Sequence, residues 1–357
     1  MASTDDRVEK LLEASAVAFE AGELEEALAR AEDALALEPG SVAALHHRAA
    51  ALAELGRIEE AQAAYEKALG PGRDDAELLL GAADFFTNVQ AGEDEREDEG
   101  RLERAIDLAR RGARLAHRSG DDPLAGELAL VQAAALNQLG RSREALERLE
   151  TADKAIPDSP DVLLERASAL LELSRFDEAR AEADRAEALA PDAPWAHHLL
   201  GLLAEHRGDW GEARRRFEKA HRLEPEVFSL PVGLSHAEFE RVVEEALEEI
   251  PEEVRRYLAN VPISVEDLPD PEDLLGSDPP LSPGILGLFR GAPYGGKAAI
   301  GDPWSHLPSS IVLYQKNLER YAHDRDELID EIGVTLVHEV GHFLGLDEDE
   351  LWDRGLG

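Results

Sequence analysis

The chain of 357 residues is long enough for two or more domains with sizeable cores. Its 77 Asp and Glu against 37 Lys and Arg give a formal net charge of −40, which opposes binding to nucleic acid or to an anionic membrane. The sequence has no cysteine and no apolar stretch of about 18 residues, and residues 1–7 lack the basic and apolar regions of a signal peptide. We therefore expect no disulfide, no thiolate metal site and a cytoplasmic protein.

A repeat runs through the first two thirds of the sequence. Pro157, Pro191 and Pro225 are spaced 34 residues apart. The same interval separates small and turn-forming residues, namely Gly140, Ser174 and Gly208, then Ala145, Ala179 and Ala213. This period is that of the tetratricopeptide repeat, in which helical hairpins stack into an α-solenoid with a concave groove. The chain resembles tetratricopeptide proteins over residues 1–227, where we predict six hairpins beginning near residues 8, 42, 76, 126, 160 and 194.

Two features of the repeat region need a separate interpretation. A block of charged residues at 92–100 interrupts the third hairpin, and such blocks are most often solvated loops. The adjacent pairs His46-His47 and His197-His198 fall on the first helices of hairpins, where neighbouring side chains diverge by about 100° and chelate a metal poorly. We therefore predict structural or groove-lining roles for these histidines, and a protein or peptide as the partner of the groove.

Beyond Pro225 the repeat stops and residues 228–357 indicate a small α+β domain. Ser235 and Glu238 have the spacing of a capping box, which predicts a helix to about residue 247. A second helix is predicted over 251–258, and the Pro- and Asp-rich stretch 268–284 is predicted to be a loop. Short apolar runs predict strands at 261–265, 285–289 and 310–314.

The last predicted helix, residues 327–344, carries the sequence His338-Glu339-Val-Gly-His342. Histidines four residues apart leave the same face of a helix, so both can bind one Zn²⁺. Glu339 lies beside them, where it can accept the proton of a water whose pKa the metal has lowered. Gly345 is placed to end the helix in a left-handed cap and to turn the chain back.

A third metal ligand must come from elsewhere in the chain. Glu348 follows His342 by six residues, which is the position of the last ligand in extended motifs of this kind. We predict Glu348 as the third ligand, with Asp347 as the alternative, and an upstream residue remains open.

Residues 234–357 resemble the minimal zincin-like metallopeptidases of bacteria. The resemblance rests on the opening helix from Ser235, on Leu286-Gly287-Leu288-Phe289, on Ile311–Tyr314, and on Val337–Gly345 with its HExxHxxG signature. It implies a Zn²⁺ site with His338 and His342 as ligands and Glu339 as the catalytic base. The final Asp of the family signature is replaced here by Glu348, a longer carboxylate.

The sequence therefore predicts a mostly α-helical protein in which a repeat solenoid precedes a zinc-dependent metallopeptidase domain. An extended substrate is expected to lie along an exposed strand edge, with Ser310–Tyr314 as the candidate strand. Four side chains are candidates for stabilising the oxyanion, namely Tyr314, His306, Tyr321 and His323. The alternative is a scaffold or adaptor without turnover, whose C-terminal domain caps the solenoid or holds a structural metal. Glu339 separates the two, because a structural zinc site has no use for a base.

Overall fold

A computed structural model describes residues 4–89, 95–258, 261–278, 280–291, 309–346 and 350. The chain forms two compact units, Met1–Ala169 and Leu170–Gly357. Over the described ranges, no helix combines the length and the apolar character that crossing a membrane requires.

The repeat region is a succession of helices joined by short turns. Its described helices are α1 Thr4–Glu20, α2 Leu24–Leu37, α3 Val42–Glu54, α4 Ile58–Leu69, α5 Ala76–Asn88, α6 Glu95–Ser119, α7 Asp122–Gln138, α8 Ser142–Ala155, α9 Pro160–Glu172, α10 Phe176–Leu189, α11 Pro194–His206 and α12 Trp210–Leu223. This order of helices confirms the predicted α-solenoid fold class.

The turn and alanine positions of the repeat have distinct physical roles. Gly140 and Gly208 end their helices with φ of 69° and 71°, a left-handed conformation that costs little only for glycine. Ser174 occupies the equivalent turn with φ 56° and accepts the strain of a side chain there. Ala145 and Ala179, which open the second helices of their pairs, are wholly buried, so small side chains let the helices approach closely.

The acidic block of the third hairpin differs from the prediction. Helix α6 begins at Glu95, so residues 95–100 belong to a helix and not to a loop. Glu and Arg are good helix formers, and acidic side chains are favoured at a helix N-terminus. The Arg101 guanidinium also pairs with Asp98 one turn earlier, at 3.1 Å between Nε and Oδ1. Residues 90–94 lie outside the described residues.

The C-terminal part of the second unit contains three strands and five helices in the described ranges. They are α13 His236–Glu249, α14 Glu252–Leu258, β1 Ile263–Glu266, α15 Pro271–Leu274, β2 Gly287–Arg290, β3 Ser310–Tyr314, α16 Gln315–Tyr321 and α17 Arg325–Phe343. The predicted capping box is present, since the Ser235 backbone N–H donates to Glu238 Oε2 at 2.9 Å. Helix α16 and the short helix α15 were not predicted.

The three strands form one sheet in the order β1-β3-β2, with β1 parallel and β2 antiparallel to β3. Strand β3 is therefore paired on both sides, and the prediction that Ser310–Tyr314 offers an exposed edge is wrong. Its apolar composition reflects a central position in the sheet, not an exposed edge. One face of the sheet, including Ile311 and Leu313, packs with α13 and α17 around a single core.

Within the second unit, the last repeat helices pack against α16. The Arg320 guanidinium forms an ion pair with Glu205 of α11; Glu205 is buried, and the Arg320 side chain is 14% exposed. Burial lowers the pKa of His198 and of His206 to about 4, and the positive charge of Arg320 lowers both further. These imidazoles are therefore neutral at pH 7.

The boundary between the two predicted domains, at residue 227, follows the repeat pattern and stays a prediction.

Candidate metal centre

Helix α17 carries the candidate metal ligands and is fixed at its N-terminus and along its buried side. Asp324 caps it, accepting hydrogen bonds from the backbone N–H groups of Asp326 and Glu327 at 2.9 and 3.0 Å. Ile332 and Leu336 are wholly buried in the core of the C-terminal region. This buried face determines which residues of the motif point toward the sheet.

The two motif histidines converge on one point. His338 Nε2 and His342 Nε2 lie 3.0 Å apart, and the ring planes cross at 84°. Two nitrogens that each bind one Zn²⁺ at tetrahedral angles are about 3.3 Å apart, which follows from Zn–N distances of about 2.0–2.1 Å. The pair therefore needs only a small adjustment to share a metal ion.

The cap after α17 orients the second imidazole. Gly345 adopts φ 81°, and the N–H of Leu346 donates to the carbonyl of Gly341 at 3.1 Å, the bond of a Schellman cap. This turn brings the carbonyl oxygen of Leu346 to 3.2 Å from His342 Nδ1. When Nδ1 carries a proton and donates it to this carbonyl, Nε2 has none, which is the usual state of a metal-binding histidine.

Glu339 lies on the buried side of the motif. Its side chain is 6% exposed, and its Cγ would lie 3.4 Å from a Cβ built on Gly287 of β2. Thr335, one turn earlier, approaches the same position to 2.6 Å through Cγ2. The absence of a side chain at Gly287 thus allows α17 to lie close to β2, and this contact holds the carboxylate-bearing residue beside the histidine pair.

The predicted third ligand cannot be placed. Glu348 and its alternative Asp347 lie outside the described residues, and Glu350 is described only as exposed. In the part of the chain that the structure describes, no group of three His, Cys, Asp or Glu side chains is arranged to hold a metal ion.

The structure describes three of the four candidate oxyanion groups, and it shows none of these three beside the histidine pair. Tyr314 alternates with Leu313, so its side chain lies on the sheet face opposite α17, near Asp273. Burial and the Asp273 carboxylate raise the pKa of its hydroxyl. His323 precedes α17, and its Nδ1 lies 2.9 Å from a carboxylate oxygen of Glu327. Tyr321 is on α16 and is 58% exposed. His306 lies outside the described residues.

Models of two protein families match parts of the chain. The model of the family described as zincin-like metallopeptidase matches residues 258–356. Models of the tetratricopeptide repeat match residues 18–83, 136–203 and 194–227. The models thus find tetratricopeptide repeats in the N-terminal region and a zincin-like metallopeptidase domain near the C-terminus. No curated protein matches the chain in sequence.

Solved structures are similar to this chain in fold. Pseudomonas aeruginosa pilF has 19% identity and a TM-score of 0.50, with 67% of this chain and 98% of that chain covered. PilW, described as a type IV pilus biogenesis factor, has 17% identity and a TM-score of 0.51, with 61% and 94% covered. Likeness at this level of identity establishes the repeat fold alone.

Three residues that position the zincin-like site were not predicted from the sequence: Gly287, Thr335 and Leu346. Gly287 belongs to the run that carries the family resemblance, but only the packing shows that it faces Glu339. Leu346 acts through its backbone carbonyl, so the identity of its side chain gives no signal in the sequence. Its role follows from the left-handed cap at Gly345, which the sequence did predict.

Gly287→Ala tests the contact between β2 and the zincin-like motif helix. The added methyl would meet Thr335 Cγ2, and we expect a loss of about 1–3 kcal/mol in the free energy of unfolding, as for other overpacked cores. The methyl would also contact Glu339, so the rate of any reaction that depends on Glu339 should fall together with the stability. The double variant Gly287→Ala/Thr335→Ser removes the clashing carbon and should recover most of the stability. Urea unfolding followed by tryptophan fluorescence measures the stability of each variant. Equal stabilities of the single and double variants would contradict this packing.

Proposed function

We propose that the protein is a zinc-dependent metallopeptidase whose tetratricopeptide repeats bind a protein or peptide partner. The observation that carries the proposal is the convergence of His338 Nε2 and His342 Nε2 at 3.0 Å beside the buried Glu339. The match of residues 258–356 to the zincin-like metallopeptidase family supports the same reaction class.

The residues present fit a zinc ion. His338 and His342 would hold it through their Nε2 atoms, with Glu348 as the proposed third ligand. The hydrogen bond from His342 Nδ1 to the Leu346 carbonyl supports this assignment, because it fixes the ring and leaves Nε2 as the donor atom to a metal. When bound, zinc supplies a Lewis acid that lowers the pKa of water and polarises a carbonyl.

Glu339 performs the proton transfers in this proposal. Its carboxylate accepts a proton from the water that attacks the peptide carbonyl carbon, and then returns it to the leaving amine nitrogen as the C–N bond breaks. The burial of Glu339 against β2 restricts the side chain to few positions, so the carboxylate is held in place before the substrate arrives.

We propose the edge of β2 as the position of an extended substrate. Among the described residues, no strand pairs with the second edge of β2, which makes this edge the candidate for pairing with an added strand. Strand β2 also contacts the motif helix at Gly287. A peptide added at this edge would therefore run beside the helix that carries Glu339.

Metal removal tests the proposal. We expect the full chain with zinc to hydrolyse peptides from a quenched-fluorescence library with a randomised central segment. Dialysis against a chelator should abolish hydrolysis, and one equivalent of Zn²⁺ should restore it, because the metal supplies the Lewis acid. Hydrolysis that persists without metal, or no hydrolysis of any peptide with zinc bound, would contradict the proposed activity.

A second candidate function is a scaffold in which the zincin-like domain caps the repeats. The buried contact between Arg320 of α16 and Glu205 of α11 favours this alternative, because the domain covers part of the last repeat. A cap needs no general base. A Glu339→Gln variant that leaves every measurable activity unchanged would therefore favour the scaffold.

A further inference from the structure

The first unit contains a cavity that the proposed peptidase chemistry does not use. It has a volume of about 410 Å³ and lies between α3 and α5, which are first helices of their pairs. This is within the range of about 300–1,000 Å³ that is typical of ligand-binding pockets in proteins. Gly81 of α5 forms part of the wall, and a side chain there would collide with the His46 ring and approach the Tyr65 hydroxyl.

The cavity is lined by aromatic rings. Tyr65 and Phe85 lie against each other with ring centroids 5.1 Å apart, and Phe19 of α1 contributes a third ring. The faces of aromatic rings carry partial negative charge and attract cations. A cavity of this kind therefore suits a ligand with an extended apolar part and a positive end.

Two carboxylates complete the lining. Glu54 of α3 and Asp84 of α5 both line the cavity and are exposed to solvent, and Asn88 Nδ2 donates to Asp84 Oδ1 at 2.8 Å. In the described ranges, neither carboxylate forms an ion pair with a Lys or Arg; the nearby Arg57 is instead paired with Glu60 at 2.7 Å. The cavity thus has a negative charge that the first unit leaves uncompensated.

The titration of the lining groups agrees with this charge balance. Partial desolvation at the cavity wall raises the pKa of the Asp84 carboxyl, the hydrogen bond from Asn88 lowers it, and the nearby Glu54 carboxylate raises it. Burial lowers the pKa of His46 to about 4, with a contribution from His47, so this imidazole adds no positive charge at pH 7. A cation entering the cavity would relieve the repulsion between the two carboxylates.

We propose that this cavity binds the Lys or Arg side chain of an extended peptide segment in a partner protein. The alkyl stem of either side chain would pack on the aromatic rings while its charge meets Glu54 and Asp84. The proposal rests on the partner-binding part of the proposed function and is independent of the metal centre. The net charge of −40 gives a basic partner a general attraction, and the cavity gives that attraction a specific position.

The test compares two bead-bound peptide libraries, one with Arg fixed at the centre of eight random residues and one with Gln there. Labelled full-length protein should prefer the Arg library at physiological salt. In Glu54→Gln/Asp84→Asn, we expect this preference to fall at least tenfold. The matched control, Asp107→Asn/Glu147→Gln, makes the same change of charge at side chains that are 62% and 71% exposed on α6 and α8, and should retain it within twofold.

Two further variants keep the test decisive. Asn88→Lys puts an ammonium group beside Asp84 from an exposed position, and it should remove the preference even if the double variant fails to fold. Glu339→Gln should leave the preference unchanged, so that a failed peptidase assay and a failed binding assay are distinguishable. No preference in the wild type, or an equal loss in the cavity and control variants, would overturn the proposal.

Discussion

Glu339→Gln should lower the rate of peptide hydrolysis by about 10²–10⁴-fold, the usual contribution of a general base. The amide has nearly the shape of the carboxylate, so the packing of this residue against Gly287 should persist. It cannot accept the proton of the attacking water. The measurement is kcat/KM on one peptide selected from the library, for zinc-loaded wild type and variant.

Two controls separate a lost base from a damaged site. The zinc content of Glu339→Gln should equal that of the wild type, because His338 and His342 hold the metal in the proposal. Glu244→Gln makes the same chemical change at an exposed position of α13, and its rate should be unchanged. Full activity in Glu339→Gln would show that this carboxylate is not the base.

Glu205→Leu should destabilise the second unit by about 3–5 kcal/mol, because it leaves the Arg320 guanidinium buried without its charged partner. Glu205 is 7% exposed, and the Arg320 side chain is 14% exposed. Burial raises the pKa of Glu205 and lowers that of Arg320 despite their mutual attraction. In many ion pairs of this kind, removing both charges from water costs more than their attraction regains, and we expect the same of this pair.

The double variant Glu205→Leu/Arg320→Met should be more stable than Glu205→Leu alone. With both charges gone, the second unit should recover most of the lost stability, although the Asn317 side chain loses its bond from Arg320. All four tryptophans of the chain belong to the second unit, so their fluorescence in urea follows this unit alone. A double variant no more stable than Glu205→Leu would show that the ion pair is net stabilising.

Elements with regular apolar spacing were predictable from the sequence, and those with buried polar residues were not. The spacing along residues 327–344 predicted α17 to within two residues of its observed bounds, Arg325–Phe343. Helix α16 was missed because Gln315, Asn317 and Glu319 look like surface residues. In the structure all three are buried, and Gln315 Nε2 donates to the Leu234 carbonyl at 3.0 Å.

The order of the strands was also beyond the sequence. The apolar run Ser310–Tyr314 is compatible with a central strand. It is equally compatible with an edge strand that packs on a hydrophobic core. Only its pairing with β1 and β2 shows that it lies in the middle. For the same reason the sequence could not tell that Tyr314 faces away from α17. The alternation along a strand fixes which residues share a face, but not which face meets the helix.

The metal site was predictable to the extent that it lies on one helix. The four-residue spacing of His338 and His342 already places both rings on one face, and the structure brings their Nε2 atoms to 3.0 Å. The contacts that hold this geometry come from separate segments, β2 at Gly287 and the turn at Leu346. Glu348 stays a prediction.

Zinc content per chain tests the central claim most directly. Protein purified without added metal is analysed for bound zinc beside His338→Ala and His342→Ala, with His236→Ala, an exposed histidine of α13, as the control. We expect about one zinc per chain in the wild type and the control, and none in either motif variant, since each removes one of the two imidazole ligands. Absence of zinc from the wild type after reconstitution, or zinc retained in both motif variants, would contradict the proposed metal centre.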